Sequence, residues 1–146
     1  MAGGKSNAWA ADVIKLVLNA TPIANIADNA ASSPLTNLYV SLHTSDPGVG
    51  GSQTTNEAAY TSYARTPIAR SNGSPAWTIT GESASPSATI VFAAATGGTE
   101  TETWFGIGTL ISGAGVLLYR GTITPNISVS NGVTPQLTTA TAVTEA

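Results

Sequence analysis

Apolar positions in this chain alternate with polar or small ones far more often than they recur at helical spacing. The clearest alternation runs through residues 103–123. It reads Thr103-Trp104-Phe105-Gly106-Ile107-Gly108-Thr109-Leu110, a glycine-rich loop at 112–115, then Val116-Leu117-Leu118-Tyr119-Arg120-Gly121-Thr122-Ile123. Strand side chains point to alternate faces, so Phe105, Ile107 and Thr109 share one side, as do Leu117, Tyr119 and Ile123. Two such runs joined by a short Gly-containing loop predict a β-hairpin, taken here as the centre of the sheet. Gly106, Gly108 and Gly121 weaken a strand unless a neighbouring ring or backbone needs the room. Trp104, Phe105 and Tyr119 stand beside them, so those rings are expected over the glycines. The expected core is Trp104, Phe105, Gly106, Ile107, Gly108, Leu117 and Tyr119, together with Leu38, Val40 and Leu42.

Only the N-terminal segment shows a helical period. Ser6 can cap a helix running to about residue 19, with Trp9, Val13, Leu16, Val17 and Ala20 on one stripe and Thr21-Pro22 as the stop. Residues 22–34 read as a connector. Residues 38–44 form a strand with Leu38, Val40 and Leu42 facing in, ended by the turn chemistry of Thr44-Ser45-Asp46-Pro47-Gly48. A long surface loop is expected over 48–59, then strands over 63–69, 76–80 and 88–92, with turns at 71–75 and a Ser/Pro segment at 83–87. After the hairpin come 127–129, the hairpin dipeptide Asn131-Gly132, and a last strand over about 134–144. The expectation is an all-β fold, mainly an antiparallel β-sandwich or barrel of about eight strands, with one N-terminal amphipathic α-helix. Residues 1–34 are expected to form a helix and connector arm, and 35–146 a single β domain.

Composition changes this picture in one direction. Among 146 residues only 9% are charged, the net charge is −3, and there is no cysteine. An average globular domain carries about 25% charged residues. So little charge suits a chain that hides surface against copies of itself or a larger assembly. The five cations are scattered, so no nucleic-acid partner is expected. The lack of cysteine excludes disulfides and thiolate chemistry, and fits a reducing cytoplasm. Neither a signal peptide nor a membrane-length apolar stretch is read, so no membrane partner is expected.

Candidate chemistry is sparse. His43 alternates to the face opposite Leu42 and is expected to be exposed or interfacial; no Gly-x-Ser-x-Gly elbow accompanies it. Gly106-Ile107-Gly108 begins like a dinucleotide fingerprint but has Ile111 in place of the third glycine. Glu100 and Glu102 share a strand face and are expected to keep the start of that strand in water; calcium would need further oxygen ligands. Asp46 reads as a turn former. Trp77 and Trp104 are expected in the core rather than along a sugar-binding groove. No catalytic, cofactor or metal site is expected, and no enzyme.

The ordered series of segments resembles a family of small tailed-bacteriophage virion proteins, often labelled tail fibre proteins and in some phages assigned to capsid decoration. The matching pieces are the N-terminal helix, residues 38–48, Asn56-Glu57-Ala58-Ala59-Tyr60-Thr61-Ser62-Tyr63-Ala64-Arg65, Ala93-Ala94-Ala95-Thr96, Phe105-Gly106-Ile107-Gly108, Leu117-Leu118-Tyr119-Arg120-Gly121-Thr122-Ile123 and the end from Leu137 to Glu145. Trp104 stands where the family usually has His, and the acidic ending is reduced to Glu145-Ala146. The resemblance implies a structural virion protein assembled in the host cytoplasm. It implies a capsid decoration protein that works as a homotrimer on the major capsid protein, with a tail or tail-fibre component as the alternative. Expected assembly contacts are Trp9, Val13, Leu16, Val17 and Glu145, with residues 1–5 and the end after Thr138 as docking arms.

Overall fold

The computed structural model describes residues 6–23, 26–27, 34–71 and 75–145. The arm expected at residues 1–5, and most of the 22–34 connector, lie outside them.

Ser6 starts helix α1 (Asn7–Asn19) by accepting a bond from the Trp9 amide at 3.3 Å. Ala20 ends it in the left-handed region at φ 53°, just ahead of Thr21-Pro22. The last carbonyls of a helix lack intrahelical donors. Arg70 supplies two of them, donating to the carbonyls of Leu16 and Val17 at 2.8 and 2.7 Å, and it also donates to the Leu35 carbonyl beyond the helix at 2.7 Å. The inward face is Ala10, Ile14 and Leu18. That corrects the expected stripe by one position: Val13, Leu16 and Val17 flank the buried face, and Trp9 is 37% exposed. Apolar residues cover so much of each turn here that spacing alone could not phase the helix. Ile14 and Leu18 join the same apolar cluster as the strands, so the helix is packed into the core through the face opposite its polar residues.

Nine strands follow among the described residues: β1 (Asn37–His43), β2 (Thr66–Ala69), β3 (Trp77–Thr80), β4 (Ser83–Pro86), β5 (Ile90–Val91), β6 (Glu100–Gly108), β7 (Leu117–Val129), β8 (Gln136–Leu137) and β9 (Val143–Thr144). Every pairing is antiparallel, in three sheets ordered β2-β1-β6-β7, β3-β4-β9 and β5-β8. The fold is all-β with one helix. The β6–β7 hairpin lies in the largest sheet, where Val40 faces Ile107 and Leu42 faces Phe105. Leu38, Val40, Leu42, Phe105 and Ile107 pack from that sheet into a cluster with Trp77, Ala84, Ile90, Leu137 and Val143 from the smaller ones.

Several elements differ from the pattern-based reading. Residues 127–129 continue β7, so Asn131-Gly132 is not a hairpin turn; Gly132 (φ 87°) donates to the Ala95 carbonyl and β8 pairs with β5. The stretch 134–144 is two short strands in different sheets, because only Leu137 and Val143 provide buried apolar anchors within those strands. The Ser/Pro segment at 83–87 is largely strand β4, hairpin partner of β3.

The hairpin glycines have different neighbours. Gly121 makes room for a ring: a Cβ there would lie 2.6 Å from Phe105 Cε1. Gly106 and Gly108 instead give way to Ser41, His43 and Leu117, and to Gln53, respectively. Leu117 is half-buried over Gly106, Tyr119 is partly buried against the core, and Trp104 is half-buried beside Arg120, 5.2 Å from its guanidinium carbon. Phe105→Ala is expected to cost about 3–5 kcal/mol and Leu18→Ala about 2–5 kcal/mol in denaturant unfolding. An unchanged midpoint for Leu18→Ala would separate the helix from the core.

Candidate functional site

The face of the large sheet opposite the apolar cluster carries Ser41, His43, Gly106 and Gly108. The loop expected on the surface at 48–59 folds down over this face. Gln53 is fully buried against Gly108, and its amide clasps the hairpin tip: Nε2 donates to the Leu110 carbonyl at 3.1 Å and Oε1 accepts from the Leu110 amide at 2.9 Å. The Gln53 backbone N–H donates to the Ala114 carbonyl at 2.8 Å.

A buried ion pair fixes this cover. Arg65 Nε and Nη2 meet the two Glu57 carboxylate oxygens at 2.6 and 2.7 Å, with side chains 2% and 15% exposed. Bidentate geometry of this kind is the strong form of the interaction. Nη1 and Nη2 also donate to the carbonyls of Leu110 and Gly113 at 2.8 Å, and Tyr63 Oη donates to Glu57 at 2.9 Å. Tyr63 Oη in turn accepts from the Leu42 amide of β1 at 3.1 Å. The chain of bonds therefore joins β1, the loop and the hairpin tip.

His43 lies beneath this cover with no exposed surface, so it is neither exposed nor interfacial. Its Nδ1 is 2.9 Å from the Thr55 carbonyl, which can only accept, so Nδ1 carries the proton and Nε2 accepts from Ser41 Oγ at 2.8 Å. Burial holds its pKa below the ordinary value of 6.5, against the opposing pulls of the Thr55 bond and the Glu57 charge. A Ser–His pair in this order resembles an activated nucleophile. Ser41 is also fully buried, so as folded the pair packs the sheet.

Glu102 corrects another expectation. It is fully buried rather than solvated, and neither carboxyl oxygen has a hydrogen-bond partner. Burial raises its pKa to about 8, helped by the neighbouring Glu100 carboxylate. The neighbouring Glu100 carboxylate is held in place by the Ala59 and Tyr60 amides, both of which donate to its Oε1. Among the described residues no group of three or more His, Cys, Asp or Glu converges as a metal set. Trp77 is 3% exposed and the Trp104 face is taken by Arg120, so neither offers a sugar platform.

What remains for contact is apolar surface. The clasped hairpin tip exposes Leu110 (46%), Ile111 (60%) and Val116 (60%). Next to it a groove of about 380 Å³ is lined by Leu16, Val17, Leu35, Leu38, Arg70 and Leu118. Two of the expected contact residues, Leu16 and Val17, thus line this groove; Trp9 and Val13 lie elsewhere on the helix. Glu145 does not line this groove: it accepts from Tyr119 Oη at 3.0 Å and its amide donates to the Glu82 carbonyl. Sequence reasoning missed Gln53, Glu57, Tyr63 and Arg65 as a unit. The signal for the last three was the run from Asn56 to Arg65, in which charged and aromatic residues interrupt an otherwise neutral chain; Gln53 had none.

Residues 6–144 match the protein family described as Podophage GP4 fiber I protein gp80. The chain belongs to that family. Membership makes it a structural component of a phage virion. No curated protein sequence matches the chain. Among the described residues no helix is long and apolar enough to cross a membrane.

Removing one partner of a buried ion pair leaves an uncompensated charge, so Arg65→Ala is expected to destabilise by about 3–5 kcal/mol in urea titration. The acid pair has a pH signature. Below its ordinary pKa of 4.5, Glu102 is protonated in both folded and unfolded chains. From there to about 8 the unfolded chain has lost the proton and the folded one keeps it, so stability falls as pH rises and levels off above that. Glu102→Gln is expected to remove this slope and to raise the melting temperature more at pH 8 than at pH 5. Parallel wild-type and variant profiles would mean the carboxyl is solvated.

Proposed function

We propose that this protein is a fibre-type subunit of the phage virion, acting by burying its neutral, apolar surface against copies of itself and neighbouring virion proteins. The match over residues 6–144 to a fibre family carries this reading. The geometry supports it: polar side chains are spent inside, on the Glu57–Arg65 clasp and the Ser41–His43 pair, while the rigid hairpin tip presents Leu110, Ile111 and Val116 outward. Contact through such residues gains apolar burial without long-range charge. The chain works without catalysis.

A second reading is capsid decoration on the major capsid protein. It is favoured by the low charge and by the absence of any repetitive or coiled-coil shaft in the sequence.

Immunogold labelling and a copy count on purified virions separate the two. The fibre reading expects label on the tail apparatus, few to tens of copies, and loss of adsorption when the protein is missing. Hundreds of copies on the head, with heads that lose DNA under milder osmotic shock and normal adsorption, would establish decoration instead. Ile111→Asp with Val116→Asp is expected to leave the melting temperature within a few degrees and to cut incorporation into virions by about tenfold or more, since each buried anchor in an interface contributes over about 1 kcal/mol.

A further inference from the structure

A groove of about 810 Å³ runs between β7 and the stretch from Gln136 to Ala142. Buried Phe105, Ile123 and Leu137 form its floor, with Ile127 half-buried beside them. Both walls carry neutral polar side chains: Thr124, Asn126 and Ser128 on β7, and Gln136, Thr138 and Thr141 opposite. No charged residue lines it. On the other face of the sheet Ser41, Gln53 and Asn56 are bonded within the chain. In this groove only Thr138 is engaged, its Oγ1 accepting from the Ala140 amide at 3.3 Å; the other five side chains have no hydrogen-bond partner among the described residues.

Neither wall can take a peptide strand. The β7 ladder breaks here: Glu102 pairs with Ile127 and Trp104 with Thr122, so Thr103 alone faces residues 123–126. Pro125 within that bulge has no N–H to offer. The opposite wall is not a strand between Leu137 and Val143, and there the Thr141 amide turns back onto the Thr138 carbonyl at 3.0 Å. Strand addition needs main-chain donors and acceptors at regular spacing. Recognition in this groove therefore falls to side chains, and those present are hydroxyls and amides that both donate and accept. Phosphates, acidic sugars and charged peptides would find no counter-charge.

We infer that this groove binds a neutral glycan, several linked sugar rings of an uncharged polysaccharide. Sugar hydroxyls also donate and accept at once, so they match the Thr, Ser, Asn and Gln walls, while the C–H faces of the rings match the apolar floor. The volume lies toward the upper end of the roughly 300–1,000 Å³ typical of small-molecule sites, room for more than one ring. Asn126 and Gln136, one from each wall, offer the most hydrogen bonds, since each amide has two N–H donors and an acceptor oxygen.

The test is binding of the purified full-length protein to a printed array of bacterial surface polysaccharides, neutral and acidic side by side, with a library of extended peptides as a second arm. Signal on one or more neutral polysaccharides, with the acidic ones blank, is the expected result. The double variant Asn126→Ala with Gln136→Ala is expected to weaken that binding by about tenfold at an unchanged melting temperature, since both side chains are exposed. Ala142→Trp, which places a bulky ring at an exposed lining position, is expected to abolish it. Ile111→Asp with Val116→Asp, outside the groove, is expected to leave it intact. Blank neutral polymers, acidic polymers bound as strongly as neutral ones, capture of peptides alone, or full binding by both groove variants overturns the glycan assignment. Purified protein gives the same answer wherever in the virion the subunit sits, and immunogold labelling tests that location separately.

Discussion

The Glu57–Arg65 pair is the interaction on which the layout of this protein depends. A β-sheet with one apolar face needs something over the other, and here the cover is a loop with few apolar anchors of its own. Arg65 cannot stay buried without its carboxylate and its two carbonyl acceptors at Leu110 and Gly113. Those carbonyls belong to the hairpin tip, so satisfying the guanidinium also fixes the tip. Tyr63 extends the constraint to the Leu42 amide of β1. The loop, the central strand and the outermost turn are thereby held in one arrangement by polar bonds rather than by apolar burial.

The glycines of the hairpin serve the same arrangement. Gly108 is bare because Gln53 lies against it, and Gly106 because the Ser41–His43 pair and Leu117 meet there. On the other face Gly121 lets the Phe105 ring reach the β7 backbone. A single pair of strands is thinned on one side for a ring and on the other for an amide and an imidazole. Glu102 shows the limit of such packing: it is tolerated in the interior because it keeps its proton at neutral pH.

How much of this was legible follows the range of each interaction. Strand β1 and the β6–β7 hairpin were readable because Leu38, Val40, Leu42, Phe105 and Ile107 alternate within one short window, and alternation is a local signal. The helix was readable in extent, since Ser6 and Pro22 bracket it, but not in phase, since Trp9, Val13, Ile14, Leu16, Val17 and Leu18 leave no unique stripe. The loop over His43 was not readable. Its contacts join residues 53 and 110, or 65 and 113, and no window spans them. Glu102 failed for a related reason: a carboxylate two residues from another looks solvated until tertiary packing closes over one of the two. The short strands β8 and β9 were merged because Thr and Ala report strand propensity without saying which sheet will accept them.

The distribution of charge connects the fold to assembly. All three arginines are engaged within the chain: Arg65 with Glu57, Arg70 with the carbonyls that end α1, and Arg120 with Asp46 and Trp104. Glu100 receives two backbone amides and Glu145 a tyrosine hydroxyl. A chain with so few charges that directs most of them to its own loops leaves an outer surface of hydroxyls, amides and apolar tips. Such a surface has little long-range repulsion between copies and little cost of charge desolvation when two surfaces meet. What it lacks is the steering that charge would provide. Specificity must then come from shape, and the buried ion pair supplies it by holding the hairpin tip in one arrangement.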